Sequence, residues 1–221
     1  DPTLIVHPLE GKTLGPQHVN AIVGAIGERR CRALALGPGL GRAAATQGAV
    51  RLLAARAKLP TVIDADAIAA CRGLDGGPLR DSVLTPHAGE FKALTGRAPC
   101  EEDDLAGRSR AAVTAAKRWR TTVLLKGHLS VISDGTRLKV NDAGVSAMAV
   151  GGTGDVLTGV IGAMLSKGLS PFDAARVGAF LSGKAGELAF EDLGHSLKPP
   201  DIIAKIPRVL ARHLPWWGGR P

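Results

Sequence analysis

The sequence contains no tyrosine, and its other large aromatic residues amount to three tryptophans and four phenylalanines. Nucleic-acid-binding modules usually combine clustered cations with aromatic side chains on which bases stack. Lys and Arg number 28 against 20 Asp and Glu, so the net charge of +8 suits an anionic ligand. Without an aromatic stacking surface, however, the sequence predicts no nucleic-acid partner.

Cysteine is also scarce. Cys31, Cys71 and Cys100 are an odd set without CxxC spacing. This argues against a disulfide framework or a zinc site and favours a reducing cytoplasm. No apolar run reaches about 18 residues, so no membrane-spanning helix is expected. The N-terminus shows no basic region followed by an apolar segment, and no signal peptide is predicted.

What the chain does contain is enough apolar sequence for one sizeable core. Of its 221 residues, 45% are apolar and 22% are charged. These values exclude a mainly disordered chain and predict a single domain over residues 1–221. Residues 214–221, which include two of the tryptophans, are expected to form a loose tail.

Short β-like segments alternate with Ala-rich helical segments, which predicts an α/β domain with a mostly parallel central sheet. The predicted strands are residues 33–36, 61–63, 82–84 and 121–125, followed by a hairpin of 130–133 and 136–140 about a two-residue turn, 134–135. The predicted helices are residues 16–28, 43–58, 101–119, 153–167, 171–190 and 200–213.

Polar or glycine-rich segments follow each of the first four predicted strands. They are GPGLG at 37–41, DAD at 64–66, TPHAGE at 85–90 and KGH at 126–128. Ligands of open α/β sheets bind beyond the carboxyl ends of the strands. Four such segments in succession therefore predict a ligand-binding edge of the sheet.

The segment GGTGD at 151–155, just before an apolar helix, is the strongest single signal. Glycines allow several N–H groups to converge, and a helix N-terminus adds positive potential, so the segment suits a phosphate. Asp155 would then take a proton from a hydroxyl that attacks the phosphate. The alternative is a glycine-rich turn with Asp155 as a helix cap. A Walker A loop is excluded because no Gly-Lys-Ser/Thr follows.

Each strand-end segment has a plain structural alternative as well. GPGLG departs from the GxGxxG fingerprint and is either a ligand-approach loop or a tight turn. In one interpretation, His87 hydrogen-bonds a ligand and Glu90 holds Mg²⁺ through water. In the other, His87 is a residue of the loop and Glu90 is an acid in the first turn of a helix. Asp64 and Asp66 would hold a metal, or are a helix cap and a solvated acid. Lys126 would contact a phosphate, or lies on the surface.

Taken in this order, the motifs resemble those of the ADP-dependent (S)-NAD(P)H-hydrate dehydratases, ribokinase-like proteins that repair damaged nicotinamide cofactors. The resemblance extends from about residue 7 to 210 and implies a three-layer sandwich with a mostly parallel central sheet flanked by helices. Its motifs are GPGLG from Gly37, DADA from Asp64, LTPHAGE from Leu84, LLKGHLSVISDG from Leu124 and AVGGTGDVLTGVIGAML from Ala149.

The resemblance also implies an activity: ATP- or ADP-driven dehydration of the 6-hydroxy hydrate of NADH or NADPH, with Mg²⁺ as cofactor. Asp155 would act at the hydrate hydroxyl, Gly39 and His87 would contact the hydrate, and Glu90 would order Mg²⁺ through water. The residues implied to bind the nucleotide are Lys126, Gly127, His128, Leu129, Ser130, Gly151, Gly152, Thr153 and Gly154.

The chain departs from the family pattern in three respects. Ser130 stands where relatives usually have Thr, which preserves the hydroxyl. Relatives normally have a further strand and helix before the point where this chain begins, so we expect an N-terminally abbreviated domain. The epimerase domain fused to many relatives is also absent from these residues. Relatives commonly form homo-oligomers, and the sequence leaves that state open here.

Two other functions use the same features. A ribokinase-like kinase for a small molecule such as a vitamin precursor would need the same anion site and the same aspartate. Kinases of this fold more often have Asn-x-x-Glu where this chain has His87 and Glu90, which favours the dehydratase. The remaining alternative is a non-catalytic protein that binds nucleotide without turnover.

Overall fold

A six-stranded sheet forms the centre of the structure, a computed structural model that describes residues 4–213. The strands lie side by side in sequence order, the first four parallel, with the fifth antiparallel to the fourth and the sixth antiparallel to the fifth. The strands are β1 (Leu34–Leu36), β2 (Thr61–Ile63), β3 (Ser82–Leu84), β4 (Thr122–Leu125), β5 (Ser130–Ser133) and β6 (Leu138–Asn141). The predicted mostly parallel sheet with one hairpin is confirmed.

Eight α-helices among the described residues cover both faces of the sheet. They are α1 (Val19–Glu28), α2 (Ala44–Arg56), α3 (Asp66–Ala70), α4 (Ala88–Thr95), α5 (Leu105–Trp119), α6 (Thr153–Ser166), α7 (Pro171–Leu193) and α8 (Pro199–His213). Successive strand residues point to opposite faces. Ile63 and Leu84 therefore pack with α1 to α5, whereas Val62 and Val83 pack with α6 to α8. The two cores and the sheet between them make the predicted three-layer sandwich.

Helix α5 begins later than predicted. The prediction started this helix at residue 101, but it begins at Leu105, with Asp104 as its N-cap. The Asp104 carboxylate accepts a hydrogen bond of 2.7 Å from the N–H of Gly107, which holds the pKa of Asp104 below its usual value. The acidic residues 101–103 therefore precede the helix as a turn. One side-chain cap, rather than the run of acids, sets the helix start.

The hairpin turn is longer than the predicted two residues. Ser133 pairs with Leu138, so residues 134–137 form the loop. The Asp134 carboxylate accepts hydrogen bonds from the N–H groups of Thr136, at 2.9 Å, and Arg137, at 2.7 Å. Burial opposes ionisation of Asp134, but these hydrogen bonds outweigh it and lower its pKa. The aspartate closes the turn with its side chain, which the Asp-Gly pattern did not indicate.

Other differences concern short or terminal segments. Helices α3 and α4 were not among the predicted helices, and α7 continues to Leu193 instead of ending at residue 190. The predicted loose tail, 214–221, lies outside the described residues, and a single domain over residues 1–221 stays a prediction. None of the helices within residues 4–213 is both long enough and apolar enough to cross a bilayer.

Candidate active site

A buried aspartate joins three segments at the carboxyl edge of the sheet. Asp64 follows β2 and is 1% exposed. One carboxylate oxygen accepts a hydrogen bond of 2.8 Å from the Lys126 ammonium, and the other accepts one of 2.8 Å from the Thr158 hydroxyl on α6. A buried carboxylate requires such partners. The sequence reasoning missed Thr158, although a hydroxyl in the middle of an apolar helix was a usable signal.

The loop after β1 lies against this aspartate. Gly37 has φ of +137°, and a Cβ at that position would overlap the carbonyl oxygen of Asp64. Only glycine permits both the backbone conformation and the close approach. Gly39 is exposed in the same loop, with φ of +69°, and its contact with substrate stays a prediction.

Asp66 turns away from Asp64 and holds the loop after β1. Its carboxylate accepts the N–H of Gly41 at 3.0 Å and pairs with the guanidinium of Arg42 at 2.8 Å. The Arg42 hydrogen bond lowers the pKa of Asp66. Because Asp64 and Asp66 bind different partners, the two carboxylates do not form the shared metal site that their spacing suggested.

His87 and Glu90 form a reciprocal cap at the start of α4. The His87 Nδ1 accepts from the N–H groups of Gly89, at 3.0 Å, and Glu90, at 3.3 Å. Glu90 in turn accepts the N–H of His87 at 2.9 Å. The His87 side chain is 57% exposed, so its ring lies open to solvent at the edge of the sheet. The histidine therefore has a structural role in addition to its predicted contact with substrate.

Lys126 lies between two carboxylates at the end of β4. Its Nζ is 2.8 Å from Asp64 and 3.5 Å from Glu90, and its side chain is 21% exposed. Its N–H donates to the carbonyl of Pro86 at 2.8 Å, which links the ends of β3 and β4. The interpretation of Lys126 as a surface lysine is therefore wrong, whereas its contact with a phosphate stays a prediction.

The glycine-rich segment places the first turn of α6 over the Asp64–Lys126 pair. Gly152, with φ of +94°, is the N-cap residue and provides no side-chain cap. The interpretation of Asp155 as the cap is therefore wrong: Asp155 is exposed in the first turn. A Cβ at Gly154 would lie 3.5 Å from Asp64 Oδ2 and 3.6 Å from Lys126 Nζ. The uncapped N-terminus of the helix thus faces the same edge as the strand ends.

The structure therefore brings together most of the predicted segments. Asp64, Glu90, Lys126 and Gly154 lie in one contact network. In the loop after β4, Gly127 and His128 are exposed, and the Ser130 hydroxyl donates to the Gly127 carbonyl at 3.3 Å. The Thr153 hydroxyl donates to the carbonyl of Met148 at 2.8 Å, so this side chain stabilises the segment before α6. The arrangement offers N–H donors and a cation for an anion beside an exposed carboxylate.

Solved structures identify the class of protein. A ribokinase-like superfamily protein from Enterococcus faecalis aligns with 25% sequence identity and a TM-score of 0.71. The alignment covers 90% of this chain and 69% of the Enterococcus chain. The ADP/ATP-dependent NAD(P)H-hydrate dehydratase of Bacillus subtilis, co-crystallised with ATP/Mg²⁺, matches 82% of this chain and 64% of its own, at 34% identity and a TM-score of 0.71. The fold is therefore ribokinase-like.

Within that class, the chain belongs to the NAD(P)H-hydrate dehydratase family, whose model matches residues 2–208. It is 46% identical over 214 residues to the bifunctional NAD(P)H-hydrate repair enzyme Nnr of Pyrobaculum aerophilum, covering 96% of this chain and 42% of that protein. It is 36% identical over 211 residues to the ADP-dependent (S)-NAD(P)H-hydrate dehydratase of Cenarchaeum symbiosum. That alignment covers 95% of this chain and 72% of the Cenarchaeum protein. The chain spans about two fifths of the length of the bifunctional relatives. The family resemblance seen in the motifs is confirmed.

Proposed function

We propose that this chain catalyses the ATP- or ADP-dependent dehydration of the 6-hydroxy hydrate of NADH or NADPH and so restores the cofactor. The observation that carries the proposal is the exposed Asp155 in the first turn of α6, which directly follows Gly154, the residue that lies against the Asp64–Lys126 pair. A carboxylate at that place can act as a base next to a bound phosphate. The names of the relatives supply the substrate class.

The site chemistry fits a dehydration driven by phosphoryl transfer. Hydroxide is a poor leaving group, so the hydrate hydroxyl first attacks the terminal phosphoryl group of the nucleotide, and Asp155 accepts its proton. The bond from that phosphorus to the bridging oxygen breaks, so ADP leaves when ATP is the donor and AMP leaves when ADP is the donor. The C6–O bond of the phosphate ester then breaks, pushed by the lone pair of the ring nitrogen, and phosphate leaves. Loss of a proton from C5 restores the ring double bond.

The loop after β4 and the glycine-rich segment before α6 supply the proposed nucleotide site. Thr153 donates its N–H to the carbonyl of Val150 at 3.4 Å, whereas the N–H groups of Gly154 and Asp155 have no partner among the described residues, so those two are available to phosphate oxygens. Lys126 adds a positive charge close to them. The roles of Gly127, His128, Leu129 and Ser130 toward the AMP portion are part of this proposal.

Mg²⁺ fits this site best as a companion of the nucleotide phosphates. Within residues 4–213, no group of three or more His, Cys, Asp or Glu side chains could hold a metal ion. Asp64 and Glu90 are both engaged by the Lys126 ammonium. Mg²⁺ readily keeps several waters, so Glu90 would bind it through one of those waters.

Cellular location and assembly belong to the proposal as well. The three free cysteines, of which only Cys71 is buried, support a reducing cytoplasm. Burial raises the pKa of the Cys71 thiol to about 12, so this residue is no nucleophile at neutral pH. A homo-oligomer stays a prediction.

The direct test is to incubate the protein with purified NADH hydrate or NADPH hydrate and either ATP or ADP. Recovery of the near-ultraviolet absorbance of the dihydronicotinamide, matched by release of phosphate, is the expected result. Reactions without nucleotide and with the Asp155→Asn variant are the controls. Nucleotide binding without turnover of either hydrate would refute the enzymatic proposal and support a nucleotide-binding protein.

Replacing His87 with Ala should weaken hydrate binding and leave nucleotide binding intact. One lost hydrogen bond is worth about 0.5–1.5 kcal/mol, so the KM for the hydrate should rise about 2- to 10-fold. The variant should also lose about 0.5–2 kcal/mol of stability, because His87 caps α4.

His87→Asn separates these two effects, because Asn is a good helix cap but lacks the imidazole. The Asn variant should regain stability, measured by thermal melting, and keep the raised KM. An equal rise in the nucleotide KM would show that His87 does not lie on the substrate side.

A further inference from the structure

A buried arginine of α5 holds the loop that follows β4. Arg108 is 1% exposed. Its Nη2 donates to the carbonyl of Lys126 at 3.0 Å, and its Nη1 pairs with the carboxylate of Glu102 at 2.9 Å. Its Nε has no hydrogen-bond partner among the described residues. Burying a guanidinium costs free energy even when it is paired. We therefore ask what the buried Arg108 does for the loop that it contacts.

Glu102 completes the attachment from the other side. One carboxylate oxygen binds Arg108, and the other accepts the main-chain N–H of His128. Gly127 lies between these two anchors, and a Cβ there would overlap both the Glu102 carboxylate and the Arg108 guanidinium. We call this pair the Glu102–Arg108 clamp. A side chain at residue 127 would therefore have to displace the Glu102 carboxylate and the Arg108 guanidinium from their present positions.

The clamp also fixes the residue that joins the loop to the rest of the site. The Lys126 carbonyl binds Arg108, its N–H binds the carbonyl of Pro86, and its ammonium binds Asp64. The main chain of Lys126 is thus held on both sides. A shift of the clamp would therefore move both the loop and the Lys126 ammonium.

We infer that the Glu102–Arg108 clamp sets the position of the loop 126–130 for nucleotide binding, with Glu102 and Arg108 as positioning residues. This inference rests on the proposed function, because that proposal gives the loop its ligand. Neither residue was among the candidate site residues from the sequence. Glu102 belongs to the acidic segment before α5, and its partner lies a turn into that helix.

The test compares Glu102→Ala with Glu101→Ala, a matched change at a neighbouring exposed carboxylate. Calorimetric titration with ATP and with ADP gives the Kd, and steady-state assays give kcat and KM. Glu102→Ala should weaken nucleotide binding about tenfold, as expected when an anchoring hydrogen bond and its ion pair are lost together. The KM for nucleotide should rise equally, with kcat and the hydrate KM within about twofold. Glu101→Ala should match the wild type.

A conservative variant and a measurement of loop order separate positioning from plain stability. Glu102→Gln can still accept the N–H of His128 and should recover most of the nucleotide affinity. Hydrogen exchange of residues 124–131, without nucleotide, should be faster in Glu102→Ala than in the wild type. A purely structural role would instead lower the melting temperature and leave the nucleotide Kd unchanged.

The outcomes distinguish this inference from the proposed function. An unchanged nucleotide Kd in folded Glu102→Ala, or an equal loss in Glu101→Ala, overturns the inference even when the wild type dehydrates the hydrate. A wild type that binds nucleotide without hydrate turnover overturns only the proposed function, and the Kd comparison then still tests the clamp. A wild type that binds no nucleotide overturns both.

Discussion

Replacing Asp155 with Asn is expected to lower kcat by about 10²–10⁴-fold, the usual contribution of a general base. Asn keeps the size of the side chain but cannot accept the proton of the hydrate hydroxyl. The cap of α6 is Gly152, and Asp155 is exposed, so the substitution removes no cap. Nucleotide affinity should stay near that of the wild type, since the N–H groups of the first turn remain.

Asp173→Asn is a matched control for this variant. Asp173 lies in the first turn of α7, as Asp155 does in α6, but the contacts of its side chain are with Ser170, Arg176 and Arg137. Each variant loses the favourable interaction between a carboxylate and the positive end of a helix dipole, which contributes about 0.3–1 kcal/mol of stability. Only Asp155→Asn should lose kcat in the hydrate assay. A fall in kcat of less than about tenfold would contradict the assignment of Asp155 as the base.

Replacing Lys126 with Met is expected to destabilise the protein by about 2–4 kcal/mol and to raise the nucleotide KM. Its partner, the Asp64 carboxylate, is 2% exposed, so loss of the ammonium leaves an unpaired buried charge. Removing one partner of a buried ion pair costs about 3–5 kcal/mol of stability. The loss expected for Lys126→Met is smaller, because the Lys126 side chain is partly exposed. Urea unfolding of each variant measures the free energy of unfolding.

Two further variants make this prediction specific. The double variant Asp64→Asn, Lys126→Met leaves no unpaired charge at position 64, the more deeply buried of the two carboxylates beside Lys126, and should recover most of the lost stability. Lys205→Met breaks the pair with the exposed carboxylate of Asp192 and should change the free energy of unfolding far less than Lys126→Met does, because exposed ion pairs contribute little stability. If the double variant is as unstable as Lys126→Met alone, the pairing does not explain the loss. An unchanged nucleotide KM would remove Lys126 from the nucleotide site.

Local sequence patterns were sufficient for several of the elements that position the site, although not for α4, which His87 caps and whose first turn holds Glu90. Strands β2 and β3 have the predicted bounds, because short β-branched or apolar runs are bounded by proline, aspartate or threonine–proline signals. Helix α6 begins at Thr153, as the glycine-rich segment before an apolar run indicated. The order of the strands then placed four polar segments at one edge, because parallel strands end on the same side.

Side-chain choices among similar neighbours could not be predicted in the same way. Four acids in a row precede α5, and nothing local specifies that Asp104 is the cap. The turn at 134–137 depends on how the Asp134 carboxylate folds back. The pairing of Asp64 with Lys126 and Thr158 depends on packing between distant segments, so the sequence offered only separate candidates.

The position of Asp64 has a consequence for folding. Its partners lie 62 residues further along the chain, at Lys126, and 94 residues further, at Thr158. Contacts of such long sequence separation form slowly, because chain entropy is lost before the contacts stabilise the fold. The edge is therefore complete only once α6 has docked on the sheet. A partly folded chain would have strands and helices but no site, so recovery of activity on refolding reports completion of the whole span from β2 to α6.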